Sequence, residues 1–222
     1  MPSIEKTLRR GALLVIAASV LGPGAVFFDV AVRQPAPWSN ASAYVAGFRW
    51  WLILPPLLGF PLLVGFVLFV SGAARLDARR GGRVDPIPVQ ILTAVYGALV
   101  AFNYVANACW VRQAGPAEFL GVSLFAMANP HSICWALEMF AYAILGAVTW
   151  LVAPTFREER ALAALLRVNA VVSVASAAYT LVDVAWVQTP AGLAFYAAWN
   201  LLVIAIMAVV LWRFRAPAEL AP

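Results

Sequence analysis

The sequence predicts an all-α fold: a polytopic integral membrane bundle of six transmembrane helices, forming one domain over residues 1–222. Of the 222 residues, 64% are hydrophobic and 11% are charged. Few soluble domains could bury so much apolar surface. The chain also contains six apolar stretches, each close to the roughly 20 residues that a helix needs to cross a bilayer. We predict these helices at about 11–32, 50–71, 89–111, 132–153, 165–187 and 193–212.

The first apolar stretch resembles a signal peptide in its basic start, but its length favours a retained helix. The run is long and is interrupted by Gly22-Pro23-Gly24, and Asp29 precedes any suitable small-residue cleavage site. We therefore count it among the six membrane helices.

The distribution of basic residues predicts the orientation of the bundle. Most lie before the first helix, between the second and third, between the fourth and fifth, and after the sixth: Lys6, Arg9, Arg10, Arg75, Arg79, Arg80, Arg83, Arg157, Arg160, Arg167, Arg213 and Arg215. Only Arg33, Arg49 and Arg112 fall at the other ends. Because cytoplasmic loops are enriched in Lys and Arg, we expect both termini in the cytoplasm of a multi-pass protein of the cell membrane, the inner membrane in a bacterium.

The outward-running helices end in similar segments, which suggests an internal repeat. DVAVRQ begins at Asp29, NACWVRQ at Asn107 and DVAWVQ at Asp183, and a proline-containing turn follows each. One interpretation is three helical hairpins related by an axis along the membrane normal. The other is that alanine, valine and interfacial tryptophan recur in any membrane protein, since similarity over so few positions is weak.

Acidic residues within the apolar helices are the candidate catalytic groups. Glu138 lies about two turns into the fourth helix, Asp183 near the outer end of the fifth, and Asp29 at the equivalent place in the first. An ionisable group in hydrocarbon usually faces a bundle interior or a cavity. Burial there disfavours the charged form, so these acids are candidate proton donors. The alternative is structural, because a protonated acid also hydrogen-bonds to polar groups of neighbouring helices.

Amides and aromatic rings at the same depth are the candidate substrate-binding residues. They are Asn103, Asn107, Trp110, Trp135, Tyr142, Tyr179, Trp186, Trp199 and Asn200. Aromatic faces beside an acid stabilise a cationic ligand or transition state. Interhelical hydrogen bonding explains the amides equally well. An interfacial aromatic belt accounts for many of the rings.

Several classes of function are excluded or disfavoured by what the sequence lacks. His131 is the only histidine, and one histidine does not build a typical zinc or haem site, so we predict no metal and no cofactor. P-loop, HExxH and GxSxG motifs are absent. The net charge of +5 reflects topology and not a nucleic-acid surface.

Three functional hypotheses remain open from the sequence. The first is a pocket, acidic and aromatic-lined, that opens toward the outer leaflet and binds, or converts by acid–base catalysis, an isoprenoid or other lipid-phase substrate, as a cyclase or isomerase does. The second is a small proton- or cation-coupled transporter. The third is an accessory subunit of a larger membrane complex. The expected partner is a membrane lipid or hydrophobic small molecule, with a homo-oligomer or larger assembly possible under the last two hypotheses. We rank the pocket first because the inner halves of the helices carry few polar residues.

Overall fold

The computed structural model describes residues 3–33, 38–186 and 189–215, with side chains outside the description at 26–33 and 51. Its α-helices are α1 (Ile4–Arg33), α2 (Ala41–Gly47), α3 (Leu54–Arg79), α4 (Pro86–Val105), α5 (Phe119–Phe125), α6 (Ile133–Val152), α7 (Arg160–Thr180) and α8 (Pro190–Arg213). Within the described residues, six helices are long and apolar enough to cross a membrane: α1, α3, α4, α6, α7 and α8. The prediction of six apolar membrane helices is confirmed. The orientation and the three-hairpin repeat stay predictions.

Capping residues and turns place the helix ends several residues from the predicted limits. The Asp85 carboxylate accepts a hydrogen bond from the Ile87 amide and starts α4 at Pro86, while Thr189 caps α8 in the same way. Proline at the first helical position suits both starts, since its missing N–H would be unpaired there anyway. The fifth predicted helix ends at Thr180 and not at 187, because the chain turns over residues 181–186. Asp183 therefore lies beyond α7.

The six long helices pack as a closed ring in chain order. α1 packs against α3, α3 against α4, α4 against α6, α6 against α7, α7 against α8, and α8 returns to α1. One continuous hydrophobic core, including Phe66, Tyr96, Leu145, Leu166 and Met207, fills the centre of the ring. Many large apolar side chains point outward and are exposed, as expected where a helix meets lipid.

Glycines set the closest helix pairs in the ring. A Cβ added at Gly11 of α1 would lie 2.7 Å from the Gly65 carbonyl oxygen and 2.7 Å from the Phe69 amide nitrogen of α3. Gly146 of α6 is packed similarly against α7, where an added Cβ would lie 2.8 Å from the Ser173 Cβ. Small residues allow such close backbone approach, which is the main source of packing energy between helices in lipid.

Charged side chains join three helices at one end of the ring, which we call the basic end (residues 4–10, 75–85, 153–160 and 213–215). Arg80 donates to both carboxylate oxygens of Glu159 at 3.0 Å and to the Thr155 carbonyl at 2.9 Å. Arg213 of α8 donates to Glu159 Oε1 at 3.3 Å. Hydrogen bonds from Arg80 hold the pKa of Glu159 below its ordinary value. Glu159 therefore ties α3 and α8 to the α6–α7 connection.

The opposite end of the ring carries a small cap built from α2 and α5. A separate apolar cluster, comprising Ala41, Val111, Ala114, Val122 and Ala126, packs these two short helices together. The chain reaches the cap from α4 through a π-helical turn at Ala106–Trp110, which redirects the side chains that follow Tyr104.

Candidate functional site

Glu138 is buried inside the ring and is held by α4. Only 6% of the residue is exposed. Its Oε1 accepts a hydrogen bond from the Tyr104 hydroxyl at 2.8 Å, and its Oε2 accepts one from the Asn103 amide nitrogen at 3.0 Å. That amide nitrogen also donates to the Cys134 carbonyl at 2.9 Å, so Asn103 links α4 to the backbone of α6. The acid therefore has two fixed donors in an apolar interior.

Aromatic side chains from three helices continue the cluster away from Glu138. The Tyr104 and Tyr142 hydroxyls lie 3.3 Å apart, and because the single Tyr104 hydrogen is donated to Glu138, Tyr142 is the donor in this contact. The Tyr142 ring packs edge-to-face against the Trp199 ring, with 4.9 Å between ring centroids, and against the Tyr96 ring, with 5.9 Å between centroids. The Trp199 indole N–H donates to the Ser173 hydroxyl at 3.3 Å. We call Glu138, Asn103, Tyr104, Tyr142, Tyr96 and Trp199 the Glu138 cluster.

One face of α4 supplies half of the Glu138 cluster. Asn103 and Tyr104 follow Tyr96 by seven and eight residues, about two helical turns, and so lie on the same face of α4. Asn107, in the π-helical turn after α4, follows Asn103 by four residues. Asn107 donates to the Asn103 and Phe125 carbonyls and accepts from the Met127 amide at 2.9 Å. Every polar atom of this amide is used. Asn107 therefore attaches the cap to α4 directly above the acid.

Three buried polar atoms around Glu138 have no hydrogen-bond partner in the described structure. They are the Asn103 amide oxygen, the Tyr96 hydroxyl and the Trp135 indole nitrogen. Trp135 precedes Glu138 by three residues and so lies on the same side of α6. A buried polar atom without a partner costs about 1–3 kcal/mol, so such atoms are retained where a ligand or water meets them.

Two of the predicted acids, Glu138 and Asp183, do not meet in one place. Asp183 is exposed in the turn after α7, where its carboxylate accepts the Ala185 amide at 2.9 Å. It does not hydrogen-bond to Glu138. Asp29 belongs to α1, and its side chain lies outside the described residues. The roles of Asp183 and Asp29 stay predictions. Among the three predicted acids, Glu138 is the one that the structure describes as buried and hydrogen-bonded.

The predicted aromatic and amide residues divide among several places. Tyr142 and Trp199 join the Glu138 cluster. Trp186 packs between Tyr179 and Phe195, and its indole nitrogen donates to the Thr180 hydroxyl at 2.9 Å. Trp110 lies against Phe125 in the cap, and Asn200 donates to the Tyr196 carbonyl of its own helix.

Tyr96 and Tyr104 were not among the predicted site residues, and neither was a polar face of α7. Asn169, Ser173, Ser176 and Thr180 are all buried and recur with helical spacing. Asn169 donates to Thr149 of α6 at 3.3 Å, and its own amide oxygen has no partner. The helical spacing of the two tyrosines relative to Asn103 and Asn107 could have indicated from the sequence that they lie near the same site.

The described parts of the chain form surface grooves away from Glu138. One groove lies at the basic end between α7 and α8, and a second is lined by Cys109, Trp110, Gln113, Ala114 and Glu118. Neither includes Glu138. In residues 3–33, 38–186 and 189–215, no three His, Cys, Asp or Glu side chains are placed to hold a metal ion.

No protein-family model matches the chain, and no curated protein or solved structure matches it significantly. Six candidate membrane spans indicate a multi-pass membrane protein with a buried acid and aromatic clusters. Its more specific function is inferred from its own residues.

Gly59→Ala is expected to displace Tyr104 from Glu138. A Cβ at Gly59 of α3 would overlap the Tyr104 ring, which also packs edge-to-face with the Phe60 ring of α3 at a centroid distance of 5.7 Å. We expect a loss of about 1–3 kcal/mol in the free energy of unfolding, the usual cost of overpacking. Unfolding in mixed micelles of mild detergent and dodecyl sulfate measures it.

Two further variants separate this effect from a general loss of packing between α3 and α4. The loss should vanish when Tyr104→Ala removes the ring, because residues in contact are energetically coupled. Gly97→Ala is the matched control, since its Cβ would make only an ordinary contact with Leu63 at 3.6 Å. An undiminished loss in the Tyr104→Ala background would show that Gly59 does not position this ring.

Proposed function

We propose that the protein binds a lipid-phase substrate of the isoprenoid class at the Glu138 cluster and exchanges a proton with it. One observation carries the proposal: a buried carboxyl hydrogen-bonded by Tyr104 and Asn103, with a second phenol 3.3 Å from the first. A carboxyl held in a fixed position by hydrogen bonds acts as a general acid or base when a substrate lies within hydrogen-bond reach.

The charge environment supports proton exchange rather than a structural ion pair. The ion pairs recorded among the described side chains lie at the basic end, and Glu138 takes part in none of them. A buried carboxylate without a cation is costly. The acid is therefore best satisfied as the neutral form, or as the partner of a positive charge that develops on a bound substrate.

The proposed chemistry uses Glu138 in both directions. The acid O–H bond breaks and its proton adds to one carbon of a substrate double bond, whose π electrons form the new C–H bond. The other carbon becomes cationic, and the faces of Tyr142, Tyr96 and Trp199 stabilise it. The carboxylate then removes a proton from a neighbouring carbon, and the electrons of the broken C–H bond form the shifted double bond. In a ring closure, a second double bond of the substrate first attacks the cation. Its π electrons form the ring bond, and the carboxylate removes the proton beside the new cation. No oxidant, metal or second substrate is needed.

Access to Glu138 requires the aromatic side chains to move. The Glu138 cluster fills the ring centre, and the two surface grooves lie elsewhere. Tyr142 is only half-buried and contacts both Tyr104 and Trp199, so its movement would expose the acid. The substrate would enter from lipid between helices and occupy the volume that these rings release.

Deuterium transfer from solvent to lipid tests this function. Purified protein is incubated in D₂O with isoprenoid lipids extracted from its host membrane, and the lipids are analysed by mass spectrometry. Wild-type protein should place deuterium on a carbon of one lipid, and Glu138→Gln should lose at least 100-fold of that rate, the usual contribution of a general acid. Tyr104→Phe should lose less, because the acid itself remains.

The control is Glu118→Gln, which alters an exposed acid beside the second groove. It should retain the wild-type exchange rate. Equal deuterium incorporation by wild-type protein and Glu138→Gln would overturn the proposal. Purification as a stable larger assembly, with no bound lipid and no exchange, would instead favour the accessory-subunit hypothesis.

The buried polar face of α7 favours proton-coupled transport as a second candidate. Asn169, Ser173, Ser176 and Thr180 extend along most of α7, and Ser173 meets the Glu138 cluster through Trp199. A transport pathway needs polar groups along its whole length. Proteoliposomes distinguish the two functions: substrate-dependent acidification of the lumen that Glu138→Gln abolishes, without deuterium transfer to the substrate, would indicate transport.

A further inference from the structure

We infer that the groove between α7 and α8 at the basic end binds the headgroup of one anionic phospholipid. This site is separate from the Glu138 cluster. The groove has a volume of about 310 Å³, within the size range of small-molecule sites. The residues that carry the inference are Glu158, Arg160, Leu162, Val209, Trp212 and Arg213, all of which line it.

The charges of the groove leave a guanidinium available to an anion. Glu159 is held by Arg80 and Arg213, and Glu158 lies 3.7 Å from Arg80. Both carboxylates therefore pair with Arg80. Arg160 is exposed, and within the described residues it makes no ion pair. The groove therefore presents Arg160 as an unneutralised positive charge, beside an Arg213 that is half-exposed but paired with Glu159.

The remaining walls of the groove suit a lipid rather than a free anion. Val209 and Leu162 give it an apolar side, and Trp212 is 64% exposed at its rim. Trp212 and Arg213 occupy the last turn of α8, where a membrane helix leaves the hydrocarbon. Tryptophan is enriched at that depth, and basic pockets between membrane helices bind anionic headgroups. The phosphate would meet Arg160 while an acyl chain follows Val209.

Native mass spectrometry of the full chain tests the inference with phosphatidylglycerol as the probe. Delipidated wild-type protein is titrated with this lipid, and the first bound copy is followed. Arg160→Gln should weaken it about fivefold, the equivalent of about 1 kcal/mol for one arginine near a membrane surface. Arg160 is preferred to Arg213 for this test because Arg213 also supports Glu159.

The matched control is Arg83→Gln, which removes another exposed arginine at the basic end but outside the groove. It should leave the first lipid unaffected. An equal loss in Arg83→Gln would show diffuse attraction to the basic end. Equal binding of phosphatidylcholine would show that the negative charge of the headgroup does not determine binding. Displacement by millimolar inorganic phosphate would identify a free anion as the occupant. Each of these three outcomes overturns the inference. None of them bears on deuterium transfer at Glu138.

Discussion

Gly11→Ala is expected to lower the free energy of unfolding by about 3 kcal/mol, the upper part of the usual overpacking range. The new methyl group would lie 2.7 Å from the Gly65 carbonyl oxygen and 2.7 Å from the Phe69 amide nitrogen. Both are backbone atoms of α3, so no side chain can turn aside. α1 must instead shift away from α3 and lose the contact that closes the ring.

Gly24→Ala in the same helix is the matched control for Gly11→Ala. A Cβ there would meet nothing within 4 Å. Alanine is favoured over glycine in a helix by about 1 kcal/mol, so this variant should be neutral or slightly stabilised. Unfolding in mixed micelles measures both. Equal stability of the two variants would mean that α1 and α3 do not approach as closely as described.

The long apolar stretches could be predicted from composition because each helix must cover its backbone in lipid, whatever its neighbours are. Orientation of side chains within the ring could not. Tyr104 follows Asn103 directly, yet both donate to Glu138, because a helix turns only about 100° between neighbours and the acid has two oxygens. Without the position of α6, sequence gives no reason to pair these residues.

Asp183 shows the reverse case. Its apolar neighbours Val182, Val184 and Ala185 resemble the end of a membrane helix, and hydropathy alone extends the helix through them. The structure ends α7 at Thr180 because the following residues turn, and the Asp183 carboxylate accepts the amide two residues later. Aspartate favours such local bonds over helix interiors. A hydropathy average over about 20 residues does not detect this local competition between the helix and a hydrogen-bonded turn.

The two ends of the ring differ in how they are held, and this difference bears on where movement is expected. At the basic end, charged hydrogen bonds join α3, α8 and the α6–α7 connection. At the opposite end, the small apolar cap meets α4 through the hydrogen bonds of Asn107 and through the contact between the Phe102 and Phe125 rings. Local opening draws on regions with few buried contacts. Under the proposed function, a substrate would therefore reach Glu138 near the cap, while the basic end stays closed.

Glu159→Ala is the second large-effect prediction, with an expected loss of about 3 kcal/mol in the free energy of unfolding. Removing one partner of a buried ion pair leaves the other charge without compensation. The Glu159 side chain is 5% exposed and that of Arg80 is 21% exposed. Glu158→Ala is the control: its side chain is 59% exposed and lies 3.7 Å from Arg80, so the loss should stay below about 1 kcal/mol.

The contribution of Glu159 should also disappear in acid. Hydrogen bonds from Arg80 lower its pKa in the folded protein, whereas the unfolded chain restores the ordinary value of about 4.3. A carboxylate with a lowered folded pKa stabilises the fold above its unfolded pKa, and that stabilisation is lost as pH falls toward the folded value. The difference in unfolding free energy between wild-type protein and Glu159→Gln should therefore be constant near neutral pH and shrink below about pH 4.3. A difference that persists unchanged at lower pH would show that the Glu159 carboxylate does not hold the basic end together.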